Sequence, residues 1–305
     1  HVWGKDTWET QETLKEELGE SRTRFSLIGP AGEKMVLFSC VINDDNRAAG
    51  RAGLGAVMGS KNLKAFAVRG TLGKEVADED KLKELRNWMA KDAKPKWEGM
   101  QNHGTDGGIV NLHNGGGLPT RNFKYGQFDE VEKVSGQTMA ETILVGRPTC
   151  YACVIRCKRE VEIKDGPYQV DKKYGGPEYE TVGSIGSNCG VGDLAAIAKG
   201  NEICNSNGLD TIGAGMIVSF TMECFENGLI TEDDIGGIKA NFGNAEAMVQ
   251  LLDLLAKREG IGDLLAQGYK PCIEKWGKEA EQYAIHAKWK PVRMHEPRYK
   301  FALGL

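Results

Sequence analysis

The sequence predicts an α+β protein in which a strand-rich first part is followed by a mainly helical second part. Two apolar runs near the start, residues 24–29 and 35–42, are separated by turn residues and are typical of strands. Residues 63–69 alternate in polarity and predict a third strand. From about residue 137 onward, apolar side chains instead recur at helical spacing. At 305 residues the chain is long enough for two domains or one large one.

The segment that joins these two parts is mixed in character. Residues 46–60 are rich in glycine and alanine and predict a loop between strands. Residues 78–93 are charged and predict a helix, with Asp78 as the residue whose side chain caps the first turn. Residues 99–121 are again rich in glycine, and we expect them to be mostly loop.

The second part contains four clear helical patterns, each with apolar residues on one face. Gly228 and Gly260 follow two of them and are expected just past the helix ends, where a left-handed backbone favours glycine. The four patterns span residues 193–206, 212–227, 244–258 and 261–276.

Charge and hydropathy exclude several classes of function. With 39 basic and 43 acidic residues the formal net charge is −4, and no basic tract is present, so we expect no binding to nucleic acid. No apolar run is long enough to span a bilayer, and no signal peptide is present, which predicts a cytoplasmic protein. The chain begins at His1 and stops inside the apolar segment 301–305, so we expect both ends to be truncations.

The eight cysteines fall into two groups. Three are packed into residues 150–157 with the spacing C-x2-C-x3-C, and in a chain without a secretion signal such a cluster indicates a metal site. The other five are scattered singly and are typical of small buried hydrophobic residues. These five are Cys40, Cys189, Cys204, Cys224 and Cys272.

The chemistry of the triplet favours an iron–sulfur cluster. Cys150, Cys153 and Cys157 lie on one tight loop and could each supply a thiolate to a different iron atom. Arg156 and Lys158 flank the third cysteine, and cationic neighbours stabilise thiolates. Zinc is the second interpretation, although no second cysteine pair or histidine follows at zinc-ribbon spacing. A radical-SAM enzyme would use the opposite order of spacings, and a purely structural cluster stays possible.

A glycine-rich loop, residues 46–61 (NRAAGRAGLGAVMGSK), is the second chemical feature. Small residues let backbone N–H groups approach an anion closely, and Arg47, Arg51 and Lys61 add positive charge suited to phosphate. The loop matches neither the Walker A nor the Rossmann glycine pattern. Taken alone, it could equally be a tight crossover between strands.

Further segments extend these features along almost the whole chain. Together they resemble the aldehyde ferredoxin oxidoreductase family, in the family's order. The segments are residues 50–65 (GRAGLGAVMGSKNLKA), 118–123 (LPTRNF), the cysteine triplet, 176–181 (GPEYET), 186–189 (GSNC), 201–211 (NEICNSNGLDT), 286–288 (HAK) and 296–298 (EPR).

The resemblance implies a tungsten or molybdenum ion held by the dithiolenes of two pterins, with a [4Fe-4S] cluster close by. Members of the family oxidise aldehydes to carboxylic acids and pass the electrons to ferredoxin. The implied architecture is a pterin-binding, strand-rich domain in residues 1–75, a helical domain with the cluster cysteines in 76–255, and the start of a truncated helical domain in 256–305. A homodimer is left open.

The cofactor residues follow from the resemblance. The glycine-rich loop would bind pterin phosphates and a bridging Mg²⁺, and the 205–211 segment would bind one pterin, with the Asp210 carboxylate accepting from its N–H groups. Asn205 departs from the aspartate common in relatives. The implied cofactor residues are Arg47, Ala48, Gly50, Arg51, Gly53, Gly55, Asn205, Gly208, Leu209, Asp210 and Thr211.

A catalytic pair is carried over in the same way. Glu180 matches a glutamate near the metal and would act as general base, and His286 matches a histidine that would donate to the aldehyde oxygen. On their residues alone, Glu180 could simply cap a helix and His286 could be a core histidine. Trp289, Lys290 and Pro291 stand where many relatives have glycine and then glutamate, which would alter the substrate pocket.

Three functions therefore compete. The first is an aldehyde-oxidising tungsten enzyme, the second an electron-transfer or scaffold subunit of the same family, and the third a zinc-stabilised structural protein. The family's fourth cluster cysteine and second pterin motif would lie beyond Leu305, so we expect residues 1–305 alone to hold little metal and to be inactive.

Overall fold

A four-stranded antiparallel sheet forms the first part of the protein in the computed structural model, which describes residues 1–300 and Ala302. The strand order is β3-β2-β1-β4. Phe25 and Leu27 alternate with more exposed residues along β1 and pack against Cys40 and Ile42. The strands are β1 (Arg24–Leu27), β2 (Val41–Asn43), β3 (Arg47–Ala49) and β4 (Ala65–Val68).

Two predictions about this sheet are corrected. Residues 35–42 are mostly not a strand, because only the last two belong to β2. The backbone of residues 37–40 bonds instead to the helical part, as in the bond from Leu37 N to Ala266 O of 3.0 Å. Residues 46–60 are not all loop, since they contain β3 and a short helix at Leu54–Gly59. This helix carries the chain across from edge strand β3 to the opposite edge, β4.

Helices account for most of the remaining regular structure. They are α1 (Thr7–Leu18), α2 (Pro30–Glu33), α3 (Leu54–Gly59), α4 (Glu79–Trp88), α5 (Glu98–His103), α6 (Ile109–Asn114), α7 (Gly136–Thr142), α8 (Tyr179–Thr181), α9 (Leu194–Asn207), α10 (Thr211–Glu226), α11 (Ala245–Lys257), α12 (Ile261–Leu265) and α13 (Tyr269–Trp276). Two further pairs of strands are antiparallel. Strand β5 (Leu144–Gly146) pairs with β6 (Glu160–Val161), and β7 (His286–Ala287) pairs with β8 (Lys290–Pro291).

The α+β class is confirmed, and so are the main helices. Asp78 caps α4 as predicted, with its side chain accepting from Lys81 N. Gly228 follows the end of α10 with φ +71°. The prediction for Gly260 is wrong, because Arg258 takes the left-handed position after α11. The predicted helix 261–276 is split in two at Gly268, which has φ +80°.

The predicted loop at 99–121 is also wrong in part, since it contains α5 and α6. None of the described helices is both long and apolar enough to cross a membrane. The domain boundaries at residues 75 and 255 stay predictions. Residues 301 and 303–305, at the end of the third predicted domain, lie outside the described residues.

Helix α10 is the centre of the main core. Twelve of its sixteen residues are buried, which is typical of a helix enclosed on all sides. Gly215 lets it approach the 182–189 segment, because a Cβ there would lie 2.7 Å from the carbonyl carbon of Ser184. This packing holds the first turn of α10 in a fixed position beside the sheet.

Candidate functional site

The glycine-rich loop packs against the backbone of residues 37–40. Gly53 precedes α3 with φ +71°, and a Cβ built on it would lie 2.3 Å from Leu37 O. A Cβ on Gly55 would lie 2.6 Å from Cys40 O. These two glycines are therefore required by close packing of backbone on backbone, which the sequence analysis attributed to a bound ligand. Gly50 differs, because its Cβ would meet only the Ala48 Cβ at 3.8 Å.

The turn between α9 and α10 lies on the other side of the same backbone. Cys40 N donates to Gly208 O at 2.8 Å, and Asp210 N donates to Phe38 O at 3.0 Å. Gly208 ends α9 with φ +72°, and Asp210 caps α10 by accepting from Ile212 N at 3.1 Å. The two segments implicated separately by sequence thus meet across residues 38–40.

Arg51 and Asp210 connect the two segments directly. Arg51 Nε lies 3.1 Å from Asp210 Oδ2, although its N–H is not aligned for a hydrogen bond and has no other acceptor among the described residues. Burial raises the pKa of the Asp210 carboxyl, and the Arg51 guanidinium offsets part of that rise. A buried carboxylate and a guanidinium with an unused N–H are suited to a polar ligand.

A cavity of about 360 Å³ opens beside this ion pair. Its inner wall includes Arg51, Gly53 and Asp210, and its outer wall includes Lys270 and residues 288–291. Only three of the eleven predicted cofactor residues line it. The other eight, which lie outside its lining, are Arg47, Ala48, Gly50, Gly55, Asn205, Gly208, Leu209 and Thr211.

The side chains of Asn205 and Thr211, two of these eight residues, contact other parts of the chain. Asn205 Nδ2 donates to Tyr174 O at 2.7 Å, which fixes the end of α9 against the preceding chain. Thr211 Oγ1 lies 2.9 Å from Thr181 Oγ1, beside the candidate base Glu180. These contacts hold the two ends of the 205–211 segment in place.

The cysteine loop lies beside the glycine-rich loop. Arg47 Nη2 donates to Thr149 O at 2.9 Å, immediately before the first cysteine. Cys150 is exposed, whereas Cys153 and Cys157 are partly buried. Cys153 N donates to Cys150 O at 3.0 Å, which closes the first turn of the loop.

No three His, Cys, Asp or Glu side chains among the described residues are arranged around a single metal ion. The cysteine triplet therefore does not have the geometry of a preformed zinc site. A four-iron cluster binds each thiolate through a different iron and so separates the sulfur atoms more widely.

The cations beside the triplet do not act as the sequence suggested. The Arg156 guanidinium donates to Arg147 O at 2.9 Å, and Lys158 pairs with Glu178 at 3.2 Å. Burial, and next the negative charge of Glu178, raise the pKa of the Cys157 thiol. Without a bound group, this environment therefore favours the thiol form of Cys157 over the thiolate.

Two buried charged residues near this loop gave no signal in the sequence. Arg159 is almost fully buried and donates to the carbonyls of Gln101, Asn102 and Arg156 at 2.8 to 3.0 Å. Asp106 is also buried, and neither carboxyl oxygen has a hydrogen-bond partner among the described residues. Burial raises the pKa of Asp106 well above its usual range, and the charge of Glu178 adds to the rise. The surroundings of Asp106 therefore favour the neutral acid over the carboxylate.

The predicted catalytic residues have separate partners. Glu180 Oε2 accepts from Met294 N at 2.9 Å, and Oε1 lies 3.3 Å from Nε2 of His295, which the sequence analysis missed. His286 Nδ1 accepts from Trp289 N at 3.1 Å. In the neutral ring the proton is then on Nε2, which leaves that nitrogen as a hydrogen-bond donor.

Comparison with known proteins adds two family matches. The family model described as "Aldehyde ferredoxin oxidoreductase, N-terminal domain" matches residues 1–70. The one described as "Aldehyde ferredoxin oxidoreductase, domains 2 & 3" matches residues 81–305. The two matches cover the sheet, the cysteine loop and the cavity.

Individual relatives agree with these matches. The chain is 41% identical, over its whole length, to a tungsten-containing aldehyde ferredoxin oxidoreductase of Pyrococcus abyssi and covers 50% of that protein. It is 31% identical to the aliphatic sulfonate oxidoreductase, WOR-like subunit, of Pyrococcus furiosus, over 96% of this chain and 49% of the relative. The chain thus spans about half the length of the curated relatives that it matches.

One solved structure has a similar fold. It is the active site complex BamBC of benzoyl coenzyme A reductase, in complex with 1,5 dienoyl-CoA. The TM-score is 0.74 at 26% identity, covering 94% of this chain and 45% of that chain.

Proposed function

The chain belongs to the aldehyde ferredoxin oxidoreductase family, and from that premise we propose that it is part of a tungsten enzyme that oxidises aldehydes to carboxylic acids. Molybdenum is the alternative metal. Electrons would leave through a [4Fe-4S] cluster to ferredoxin, and the location we propose is the cytoplasm. The observation that carries the proposal is the meeting of the Arg51–Gly53 loop and Asp210 at one cavity, with the cysteine loop tethered beside it through Arg47.

The residues at this cavity fit the proposed cofactor. Asp210 Oδ2 is a buried acceptor for the N–H groups of a pterin ring, and the unaligned Arg51 Nε–H is a donor for a phosphate. The side of the loop at Gly50 is open, so backbone N–H groups there are accessible to an anion. Arg47 and Ala48 would lie beside a Mg²⁺ ion that bridges the pterin phosphates. Cys150, Cys153 and Cys157 would bind the cluster.

The chain's own residues would then handle protons and orientation. Glu180 Oε1 would take the proton from water or from the hydrated aldehyde, since Oε2 is engaged by Met294 N. His286 Nε2–H would donate to the aldehyde oxygen. His295, 3.3 Å from Glu180, would receive or share the proton that Glu180 removes. When bound, the pterin-held metal would accept two electrons, and the cluster would pass them on singly.

Metal analysis of the protein as encoded by its gene, purified without oxygen, is the first test. Tungsten or molybdenum together with iron and acid-labile sulfide is expected, and zinc alone would overturn the proposal. Aldehyde-dependent reduction of benzyl viologen by the same preparation is the second test. A protein that contains tungsten and iron but does not oxidise any of a series of aldehydes would instead be an electron-transfer or scaffold subunit.

A further inference from the structure

The hairpin that forms the outer wall of the cavity has an unusual turn. Lys288 and Trp289, which connect β7 to β8, have φ values of +53° and +68°. Two-residue turns of this kind favour asparagine and glycine, because a side chain at positive φ costs about 1–3 kcal/mol. A bulky tryptophan is retained at this position only if its surroundings hold it there.

Three contacts hold Trp289 in place. Its ring stacks on His286, with centroids 4.3 Å apart and planes at 27°. Lys270 Nζ lies 4.7 Å from the centre of the same ring, within the range of a cation–π interaction. The backbone N–H of Trp289 donates to His286 Nδ1. The strained turn therefore places an aromatic ring and an ammonium group next to the candidate catalytic histidine.

The hairpin is also fixed to the inner wall of the cavity. Arg51 Nη2 donates to Pro291 O at 2.6 Å, so the guanidinium contacts the hairpin as well as Asp210. This bond also fixes Lys290, the residue before Pro291, beside the cavity. The outer wall is thus part of the same built site as the candidate cofactor residues.

The charges that line the cavity are unbalanced. Among the described residues that line it there are four cations and one carboxylate, and that carboxylate, Asp210, is already paired with Arg51. The other three cations, Lys270, Lys288 and Lys290, are exposed at the outer wall. Unpaired cations around a concave site raise the local concentration of anions.

We propose that this site selects an aldehyde that carries an anionic group, and that Lys270, Trp289 and Lys290 make the selection. His286 is outside the cavity lining but stacks on Trp289, which lines it. The aldehyde carbon would therefore lie on the Trp289 side, toward His286, and the anionic group would lie against the outer lysines. Lys290, exposed at the outer wall, would attract such a group. The inference rests on the proposed function, because it names the substrate class of that site.

A cofactor phosphate is a second source of the same anionic chemistry. Phosphate groups, however, would lie at the inner end, where the Arg51 Nε–H has no hydrogen-bond partner among the described residues. The lysines lie at the opposite, exposed wall. The geometry therefore favours the substrate, rather than the cofactor, as the source of the anionic group. The tungsten and phosphorus content of the Lys290→Glu variant distinguishes these two sources.

The test compares butanal with 4-oxobutanoate, which have the same carbon chain and differ by one carboxylate. For the protein as encoded by its gene, kcat/KM should favour 4-oxobutanoate by about tenfold or more, since one charge contact is worth that much. Lys290→Glu should abolish the preference by raising KM for 4-oxobutanoate. Lys278→Glu, at an exposed position outside the cavity, is the matched control and should keep the preference.

Equal use of both aldehydes by the wild type, or an unchanged ratio in Lys290→Glu, would overturn the inference. Loss of tungsten and phosphorus in Lys290→Glu would also overturn it, by assigning the lysine to the cofactor. Calorimetric titration with succinate and butyrate gives a readout that does not need turnover. Succinate binding that depends on Lys290, in a protein that oxidises no aldehyde, would refute the proposed reaction and support anion selection. No difference between the two acids would refute the selection.

Discussion

Arg51 and Asp210, which are far apart in the sequence, lie 3.1 Å apart at the inner end of the cavity. Each belongs to a different segment, and the backbone of residues 38–40 fixes both segments. Their pairing is what turns a glycine-rich loop and a helix start into one site. The chain's candidate function depends on this junction more than on any single motif.

Replacing Asp210 with asparagine should separate its two roles. Asparagine caps helices about as well as aspartate, so the cap should be kept, and the free energy of unfolding should fall only by the lost pair with Arg51, about 1 kcal/mol. Loss of the charge should lower the tungsten content by roughly tenfold. Asp193→Asn, at the cap of α9, is the matched control and should keep its tungsten. Equal metal content in the two variants would remove Asp210 from the cofactor site.

The glycines of the loop should differ in their response to alanine. Gly53→Ala and Gly55→Ala place a Cβ against the backbone of residues 37–40, which should cost about 1–3 kcal/mol of stability. Gly50→Ala meets open space and should leave stability nearly unchanged. Chemical denaturation measures all three. If Gly50→Ala were as destabilising as the others, the packing explanation would be wrong.

Each cysteine of the triplet should be needed for iron. Replacing Cys150, Cys153 or Cys157 by serine should remove most of the iron and labile sulfide, because serine is a poor ligand for such a cluster. Cys224→Ala, at a buried cysteine of α10, is the control and should retain iron. A triplet variant with a full complement of iron would show that its thiol is not a ligand.

Asp106 should make the protein less stable as the pH rises. Its pKa is raised in the folded state, so the fold holds the proton more tightly than the unfolded chain does. The contribution of Asp106 to the free energy of unfolding is full at pH values below the ordinary aspartate pKa of about 3.9. It is lost as the pH rises through the raised pKa that Asp106 has in the folded protein.

Asp106→Asn removes that titration. The variant should be more stable than the wild type by about 1–3 kcal/mol at pH values above the folded pKa, and the difference should shrink toward acid pH. Asp165→Asn, at an exposed position, should have no such effect. Destabilisation by Asp106→Asn at every pH would indicate a carboxylate that accepts bonds in the fold.

The positions of α9, α10 and α11 were predictable because each begins at a capping side chain, Asp193, Asp210 or Asn244. The exceptions have tertiary causes. Arg258 adopts the left-handed conformation expected of Gly260, because its guanidinium bonds Asp263 at 2.7 Å and Lys34 O at 2.8 Å. Residues 37–40 resemble a strand in composition, but the helical part takes their backbone bonds.

The site was only partly predictable for a related reason. The family resemblance predicted each of four site residues separately, namely Arg51, Asp210, Glu180 and His286. Their positions in the sequence do not reveal which side chains contact each other. His295 beside Glu180 and the stacking of Trp289 on His286 depend on the path of the chain after residue 283. Buried Asp106 and Arg159 gave no pattern at all, since only their surroundings make them unusual.

The most direct test of the central claim is the position of the metals. Crystals of the protein as encoded by its gene, grown without oxygen, would be measured on either side of the tungsten L edge and the iron K edge. We expect a tungsten peak in the cavity beside Gly53 and Asp210, and an iron peak against Cys150, Cys153 and Cys157. A tungsten peak away from that cavity, or zinc in place of iron at the three cysteines, would contradict it.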